Sequence, residues 1–506
     1  MNERIAPSLL ECVSPTSSQV IGHVSIASPD EVRSAVDRAR AAQRGWGALS
    51  VAARAERLLM FRERLLDARD ELAEALTTEC GKPRQEAFVT EVAPLVALIG
   101  HYGLHAADLL APRSIPLRLL KHRRSRVHYE PRGVIGIISP WNFPLLIPFG
   151  DAFTALFAGN AAVIKPSEHA PLIALKVKEL WDAAGLEPDL LQIVPGRGDT
   201  GQALIESGVQ KIVFTGGVET GRLVAASCGR ALVECVMELG GKAPALVCDD
   251  AHLELAARAI TFGGFLNAGQ ACISVERVLA HEAIHDRLVE RIVHHTQNLR
   301  LGGPDGIWDV GPMIFPQQLE TVERLVKDAI ERGATLRCGG KRADRTGDFF
   351  EPTVLTGCEP DMPIVREEIF GPVVPILRVR DDDQAIEIAN SLPLGLNAYV
   401  FSKDLERAQR LAARLEVGSV VINDVVTDYG SPEVPFGGVK NSGYGRVHGT
   451  EALRAMSHVK HVSDGRTPPV SALWYPYGAR SEAAVRRLIG SLFSRRTLLG
   501  RVLDLL

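Results

Sequence analysis

The chain has 506 residues, 46% of them hydrophobic, enough to bury more than one core, so two or three domains are expected. Its 57 basic residues against 61 acidic ones leave a formal net charge of -4, which points neither to nucleic acid nor to disorder. Eight cysteines, scattered without a repeating frame, read as reduced intracellular thiols and exclude a disulfide scaffold.

The opening stretch MNERIAPSLLECVSPTSSQV has no apolar run of signal-peptide length. No uninterrupted apolar segment is read as a bilayer-spanning helix, so a soluble, cytoplasmic protein is expected, with a reservation at the C-terminus. The first clear helix begins at SPDEVRSAVDRARAAQRGW, where Ser28 caps, Pro29 suits the first turn and Glu31 completes a capping box. Val32, Ala35, Val36 and Ala39 then share one face. A longer helical tract is expected from Ala52 to Cys80, ended by Gly81 as a C-terminal cap.

After Glu130 short β-branched runs alternate with amphipathic helices: GVIGIIS, AAVIK, LLQIV, KIVFTG and ALVECVMEL are the strands. This alternation predicts an α/β fold with a parallel sheet covered on both faces, and ligands beyond the carboxyl ends of its strands. A second alternating pattern begins near Ala243 with PALVCDD and RVLAH, followed by a helix from Ala283 to Leu299, and predicts a second α/β domain. The stretch Asp464 to Arg480 reads as a linker or an arm.

Five short stretches fall where strands end. SPWNFP (Ser139–Pro144) places Trp141 and Asn142 in a Pro-bounded loop, and KPSE (Lys165–Glu168) follows AAVI. FTGGVETG (Phe214–Gly221) runs from a strand into a Gly-rich helix start, although it is no GxGxxG fingerprint. ELGGK (Glu238–Lys242) ends a strand on a carboxylate, and FLNAGQACIS sets Cys272 among small and amide-bearing residues. A turn, a solvated helix start and a buried structural cysteine are the alternative readings of these stretches taken singly. Small neighbours would also let a ligand and backbone N–H groups reach the sulfur, as a nucleophile requires.

In this order the five stretches, with EEIFGPV (Glu367–Val373) and PFGGVKNSGYGR (Pro435–Arg446), resemble the NAD(P)-dependent aldehyde dehydrogenases from about Ile21 to about Val462. The resemblance implies a cofactor-binding domain (residues 1–121 and 134–239), a catalytic domain (240–457) and a small bridging β element (122–133 and 458–464). An arm and amphipathic helix (465–506) follow. It implies Cys272 as nucleophile, the Asn142 amide and the Cys272 N–H as oxyanion donors, and Glu238 as general base for deacylation. It implies no metal. Lys165 and Glu168 would hold the adenosine ribose, Trp141 would place the pyrophosphate, and Gly216 and Gly217 would let a helix N-terminus approach phosphate. Glu368 would hold the nicotinamide ribose and Phe370 would pack at the ring end. Glu168 should repel a 2′-phosphate, which favours NAD, with NADP left open.

Two positions depart from the family pattern: Gly217 replaces a common serine, and Val447 stands where many relatives carry a second glutamate. The C-terminal part resembles the class 3 and fatty-aldehyde branch most, whereas SPWNFP and GQACIS resemble the broader bacterial and class 1/2 pattern, so the features are mixed. Phe143, Leu146, Ile147 and Phe149 near Asn142, with no cation beside Cys272, favour a hydrophobic, medium- or long-chain aldehyde. A CoA-acylating dehydrogenase is the alternative chemistry, opposed by Glu238, and a non-catalytic binding or structural protein on this fold is opposed by the intact motif set. A homodimer or homotetramer is implied. In the tail, Val485, Leu488, Ile489, Leu492, Leu499, Val502, Leu503 and Leu506 follow helical spacing, with Arg486, Arg487 and Arg501 elsewhere. Residues 481–506 therefore suit either a membrane surface or packing on a subunit.

Overall fold

The computed structural model describes residues 9–121, 123–303, 306–465, 474–496 and 498. They form two compact units, one of residues up to Leu109 with Pro131–Met456, the other of Leu110–Glu130 with the chain from Ser457 onward.

The first unit holds two large sheets. One runs in the order Gly443–Tyr444, Glu234–Glu238, Lys211–Thr215, Val134–Ile138, Ala161–Lys165, Leu191–Ile193. All neighbours are parallel except Gly443–Tyr444, which pairs antiparallel with Glu234–Glu238. Val134–Ile138 and Ala161–Lys165 are buried along their whole length, as a sheet covered on both faces demands. The chain winds outward from Val134–Ile138 in one direction, then returns to its other side at Lys211–Thr215. That reversal opens a crevice at the carboxyl ends of these two strands, and the Ser139–Pro144 loop and Gly216–Gly217 follow them directly.

The second sheet is ordered Thr335–Cys338, Thr353–Thr356, Val373–Val379, Arg277–His281, Pro244–Val247, Asn397–Phe401, Ser419–Ile422. Only Thr335–Cys338 runs antiparallel. Its hydrophobic core takes in Val278, Leu279, Val374, Ile376 and Val400, all 0% exposed. The α/β fold expected from the alternating pattern is thus present.

The first helix, Pro29–Ala48, has the expected cap: Ser28 Oγ accepts from the Glu31 N–H at 3.3 Å while Glu31 accepts from the Ser28 N–H at 2.8 Å. The tract expected as one helix from Ala52 to Cys80 divides into Val51–Asp67 and Arg69–Cys80. The break falls at Ala68 (φ -87, ψ 7), a small side chain buried to 5% exposure, so the chain tightens there without leaving the interior. Gly81 ends the second helix at φ 67, the left-handed cap.

The helical tract Arg84–Leu109 has a mean hydropathy of 1.4 over its most apolar window and by length and composition alone is long enough to cross a membrane. Arg84, Glu86 and Glu91 interrupt its apolar run, so no uninterrupted apolar segment marks it in the sequence. In the fold, Leu95, Leu98, Ile99 and Tyr102 are buried, and Glu86 and Glu91 point inward to partners near Asn142. It is a core helix of the first unit.

The second unit contains a three-stranded sheet of order Ser457–Asp464, Arg124–Pro131, Arg113–Ser114. Lys460 pairs with Glu130 at 3.0 Å, and Arg123 bonds Ser463 Oγ at 2.9 Å. The helix Ala479–Phe493 has no buried residue, and Leu488, Ile489 and Phe493 are 51%, 54% and 65% exposed. Leu499, Val502, Leu503 and Leu506 lie outside the described residues, as does Arg501.

Candidate active site

Asn142, 3% exposed, lies in the loop after the Val134–Ile138 strand. Its side-chain amide donates to the Gln270 carbonyl at 3.0 Å. Its own carbonyl accepts from Lys82 Nζ at 3.1 Å and from Asn267 Nδ2 at 3.0 Å. Lys82 in turn meets Glu91 at 2.8 Å, and both side chains are 0% exposed. The second oxygen of Glu91 accepts from the Leu145 and Leu146 N–H groups at 3.0 and 2.8 Å, capping the helix Leu146–Phe157. A buried ion pair therefore holds the loop that presents Asn142.

The segment before Cys272 is strained. Asn267, Ala268 and Gly269 have φ values of 52, 55 and 72, all left-handed. At Gly269 a Cβ would stand 2.1 Å from the Gly371 carbonyl oxygen, so only glycine fits. The amide side chains fasten this turn: Gln270 Nε2 donates to the Asn267 carbonyl at 2.9 Å, and Gln270 Oε1 accepts from the Ile314 N–H at 2.9 Å. The Asn267 N–H reaches the buried Glu86 at 2.9 Å. The residues around the cysteine are thus explained by the backbone they hold as much as by room for a ligand.

Cys272 is half-buried and lines two cavities. One, about 260 Å³, is walled by Trp141, Asn142, Gly216, Gly217, Glu238, Glu368 and Phe370 together with Thr215 and Phe315. The other, about 520 Å³, is walled by Phe143, Leu146, Ile147, Phe262, Leu266, Ile273 and the segment from Asp424 to Ser431. Burial, followed by the charges of Glu368, Glu238 and Asp428, pushes the Cys272 thiol well up from its ordinary value.

Glu238 ends its strand opposite Gly443, is 5% exposed, and neither carboxylate oxygen has a hydrogen-bond partner among the described residues. Burial holds its pKa well above the ordinary carboxylate range, Asp151 adds to this, and Arg446 opposes it. Glu368 accepts from the Gly241 N–H at 3.0 Å and is pushed up to about 8 by burial, with Glu276 contributing. Phe370 is left-handed (φ 49), held by its N–H to Glu276 at 2.8 Å. Glu276 also accepts from the Ile369 N–H at 2.9 Å and pairs with Lys242 at 2.7 Å, both nearly inaccessible. Trp141 lies edge-on to Phe315 and Phe370, with ring centres 4.9 and 5.3 Å away.

Eight of the ten residues expected at the site therefore line one cleft. Lys165 and Glu168 do not line it; they pair at 3.4 Å where the neighbouring strand ends. Phe149, expected near the substrate, is 0% exposed and lines neither cavity, because it faces inward from the helix Leu146–Phe157. Phe315, Phe262 and the Asp424–Ser431 segment were not anticipated, and no motif marks them. Lys82, Glu91 and Glu276 were also unread, since their partners lie far off in sequence. Among the described residues no group of three or more His, Cys, Asp or Glu is placed to hold a metal ion.

Residues 3–462 match the profile of the aldehyde dehydrogenase family. The chain belongs to that family. A 4,4′-diapolycopene aldehyde oxidase from Methylomonas sp is 35% identical over 97% of this chain and 93% of its own. A Mycolicibacterium smegmatis protein named "putative succinate-semialdehyde dehydrogenase (NADP+)" is 37% identical over 92% of both chains. The structure of a betaine aldehyde dehydrogenase point mutant from Staphylococcus aureus in complex with NAD+ superposes with a TM-score of 0.87 at 31% identity, covering 93% of this chain and 96% of that one.

The chain is therefore an oxidoreductase, an aldehyde dehydrogenase using NAD(P). Its cleft fits such a dinucleotide. The helix Val218–Ala231 starts at Gly217 with no side chain capping its first N–H groups, and space is open for 4 Å where a Gly217 side chain would stand. Free N–H donors at a helix start favour a pyrophosphate, so the serine hydroxyl missing at Gly217 is not needed to form the cradle.

Proposed function

We propose that this aldehyde dehydrogenase oxidises an apolar, medium- or long-chain aldehyde to its carboxylic acid, with Cys272 as nucleophile, Asn142 as oxyanion donor and Glu238 as deacylating base. The carrying observation is the 520 Å³ cavity on the far side of Cys272. Its walls are mainly aliphatic and aromatic, and among the described residues its single charged lining residue is Asp424. An anionic substrate such as succinate semialdehyde would find no cation there and one carboxylate. Of the two curated relatives, the one named for a diapolycopene aldehyde is the better guide. Val89 and Phe262, 56% and 49% exposed, give the cavity an apolar rim at the surface.

The chemistry follows from what the residues can do. The Cys272 thiol first gives its proton up to solvent; the sulfur then adds to the aldehyde carbon as the C=O π bond breaks, and the oxygen takes up negative charge. The Asn142 amide and the Cys272 N–H stabilise that charge; one such donor is typically worth about 3–4 kcal/mol. Bound NAD(P)+ supplies the hydride acceptor, and a thioester on Cys272 remains. Glu238, desolvated and unpaired, draws a proton from water as the water oxygen attacks the thioester carbon. The acid leaves and the electron pair of the C–S bond returns to sulfur.

In the cleft, Gly216, Gly217 and Trp141 are proposed to hold the pyrophosphate, Glu368 the nicotinamide ribose, and Phe370 the ring end. Lys165 and Glu168 are proposed to reach the adenosine ribose, with Glu168 disfavouring a 2′-phosphate and so favouring NAD. The strand Ser457–Asp464 stands at an open sheet edge with Val459 67% exposed, which supports assembly into at least a dimer. Arg480, Arg486 and Arg487 beside exposed Leu488, Ile489 and Phe493 support attachment of the helix Ala479–Phe493 to an anionic membrane surface.

NADH formation without CoA, measured from propanal to hexadecanal, tests the substrate reading. A kcat/KM that climbs with chain length is expected, and a flat or falling series would overturn it. Flotation with anionic liposomes, with and without residues 481–506, tests the tail: loss of flotation on truncation is expected, and equal behaviour would refute membrane attachment.

A further inference from the structure

The strand Asn397–Phe401 is buried along its whole length, yet two of its side chains are polar, Asn397 at 1% and Tyr399 at 0% exposure. Standing two positions apart, they leave the same face of the strand. The Tyr399 hydroxyl donates to the Ile273 carbonyl at 2.5 Å. Ile273 follows Cys272 directly and lines the apolar cavity. Asn397 Nδ2 donates to Tyr399 Oη and to Asp428 Oδ1, each at 3.3 Å, and Asn397 Oδ1 accepts from the Ala398 N–H at 2.8 Å. The backbone N–H can only donate, so it fixes which way the amide faces. The two amide protons then go to Tyr399 and Asp428, and the hydroxyl proton is left for the Ile273 carbonyl, which can only accept. Each hydrogen bond from Asp428 to the neighbour of the nucleophile therefore has one direction.

The same strand holds the wall of that cavity. Just past its end, Asn423 Nδ2 donates to the Ser402 carbonyl at 2.8 Å and Asn423 Oδ1 accepts from the Ser402 N–H at 3.0 Å. At its start, Asn397 meets Asp428. Between these two anchors Asp424, Val425, Val426 and Thr427 all line the cavity. Asp428 does not line it, and its Oδ2 is buried without a partner among the described residues. Asn423 and Val426 are left-handed, with φ 58 and 53. For a β-branched residue such as Val426 that backbone is strained, and it persists only where the surroundings hold it. Buried polar groups and a strained loop both cost the folded state, and an apolar sheet closes without either. What they share is that they tie the turn of the nucleophile and the wall of the cavity to one strand.

We propose that the Asp428–Asn397–Tyr399 chain sets the position of the Cys272 sulfur relative to the wall of the apolar cavity, with Tyr399 as the positioning residue for the nucleophile. Tyr399 lines neither cavity, so it acts through the Ile273 peptide. With its hydroxyl in place, the turn at Ile273 and the four wall residues keep a fixed spacing. An apolar chain lying along that wall then brings its carbonyl carbon to the sulfur. Such alignment is sensitive, since about 1 Å of misplacement is enough for a hundredfold loss in rate. Without the hydroxyl, the Ile273 carbonyl and one Asn397 N–H are left unpaired among buried groups, and the turn is free to settle elsewhere. The proposal rests on Cys272 as the nucleophile and on the apolar cavity as the seat of the aldehyde.

The test uses the full-length enzyme with saturating cofactor and compares Tyr399→Phe, Asp428→Ala and Asp428→Asn with the unaltered protein. The readouts are the pre-steady-state rate of NADH formation with dodecanal, the dodecanal KM, and the rate at which iodoacetamide alkylates Cys272 in the absence of aldehyde. Alkylation needs only an accessible sulfur, whereas NADH formation needs sulfur, aldehyde and nicotinamide in line. Tyr399→Phe should slow NADH formation by about tenfold or more, with alkylation and cofactor KM each within about twofold. Asp428→Ala changes a half-buried loop residue and spares the strand, so it gives a second reading should Tyr399→Phe fail to fold. It should slow NADH formation by about threefold or more and raise the dodecanal KM, and Asp428→Asn, which still offers Asn397 an oxygen, should recover both to within about twofold. Tyr399→Phe forming NADH within about twofold of the unaltered rate would overturn the proposal, and so would Asp428→Asn as impaired as Asp428→Ala, or Asp428→Ala without effect. Alkylation that falls in step with NADH formation would overturn it too, as the mark of a merely structural role. NADH formed by Cys272→Ala would instead overturn the reading of the nucleophile, and an unaltered enzyme no faster on dodecanal than on propanal would overturn that of the cavity.

Discussion

Glu91→Gln preserves shape while removing one charge from a pair in which both side chains are 0% exposed. Lys82 would keep a positive charge in a dry site, facing an amide in place of the carboxylate now 2.8 Å away. Breaking a buried pair by neutralising one partner typically costs about 3–5 kcal/mol. The two bonds from the Leu145 and Leu146 N–H groups, 3.0 and 2.8 Å, would also weaken from charge-assisted to neutral, losing about 1 kcal/mol each. Lys82 would then turn away, and the Asn142 carbonyl would lose a donor at 3.1 Å. A displacement of the oxyanion donor by about 1 Å is enough for a hundredfold loss in rate. Urea unfolding and kcat/KM, measured on the same preparation, check both effects. A midpoint and a kcat/KM indistinguishable from the unaltered enzyme would refute the view that this pair positions Asn142. Adding Lys82→Met should recover part of the stability, because the stranded charge is gone, but not the rate.

Cys272→Ala should abolish NADH formation while leaving cofactor binding, read by tryptophan fluorescence, within about twofold. Asn142→Ala should lower kcat by about 10²–10³, with little change in KM, if the amide serves the charged adduct as proposed. The Cys272 thiol is pushed up by burial and by three carboxylates, so its thiolate fraction is small at neutral pH and grows as pH rises. Iodoacetamide should therefore inactivate the free enzyme faster at each step from pH 7 to 10; a plateau below pH 8 would contradict that environment. Glu276→Gln should raise KM for the cofactor more than it lowers kcat, because Glu276 holds the Ile369 and Phe370 N–H groups behind the cleft.

The parts of the site legible in the sequence share a physical property. Asn142, Glu238, Gly216 and Cys272 are polar or glycine residues at the ends of apolar strands or beside a glycine-rich turn, so each interrupts a pattern that burial otherwise explains. The Ser28–Glu31 capping box was legible for the same reason: its partners are three residues apart. What was not legible depends on distance in sequence. Lys82 meets Asn142 across 60 residues, Asn267 meets Glu86 across 181, and Gly241 meets Glu368 across 127. The break at Ala68 was hidden because it carries neither proline nor glycine.

Asp151 is the instructive case. In LIPFGDAFTALF it reads as the one charged residue of an apolar helix, and nothing local separates a solvated position from a buried one. Only the fold shows that Asp151 is 6% exposed, in a helix whose every residue is buried. Such a placement costs stability whatever its use. Burial favours the neutral acid at such a position, so Asp151 carries a cost to the folded state that no local signal in the sequence announces.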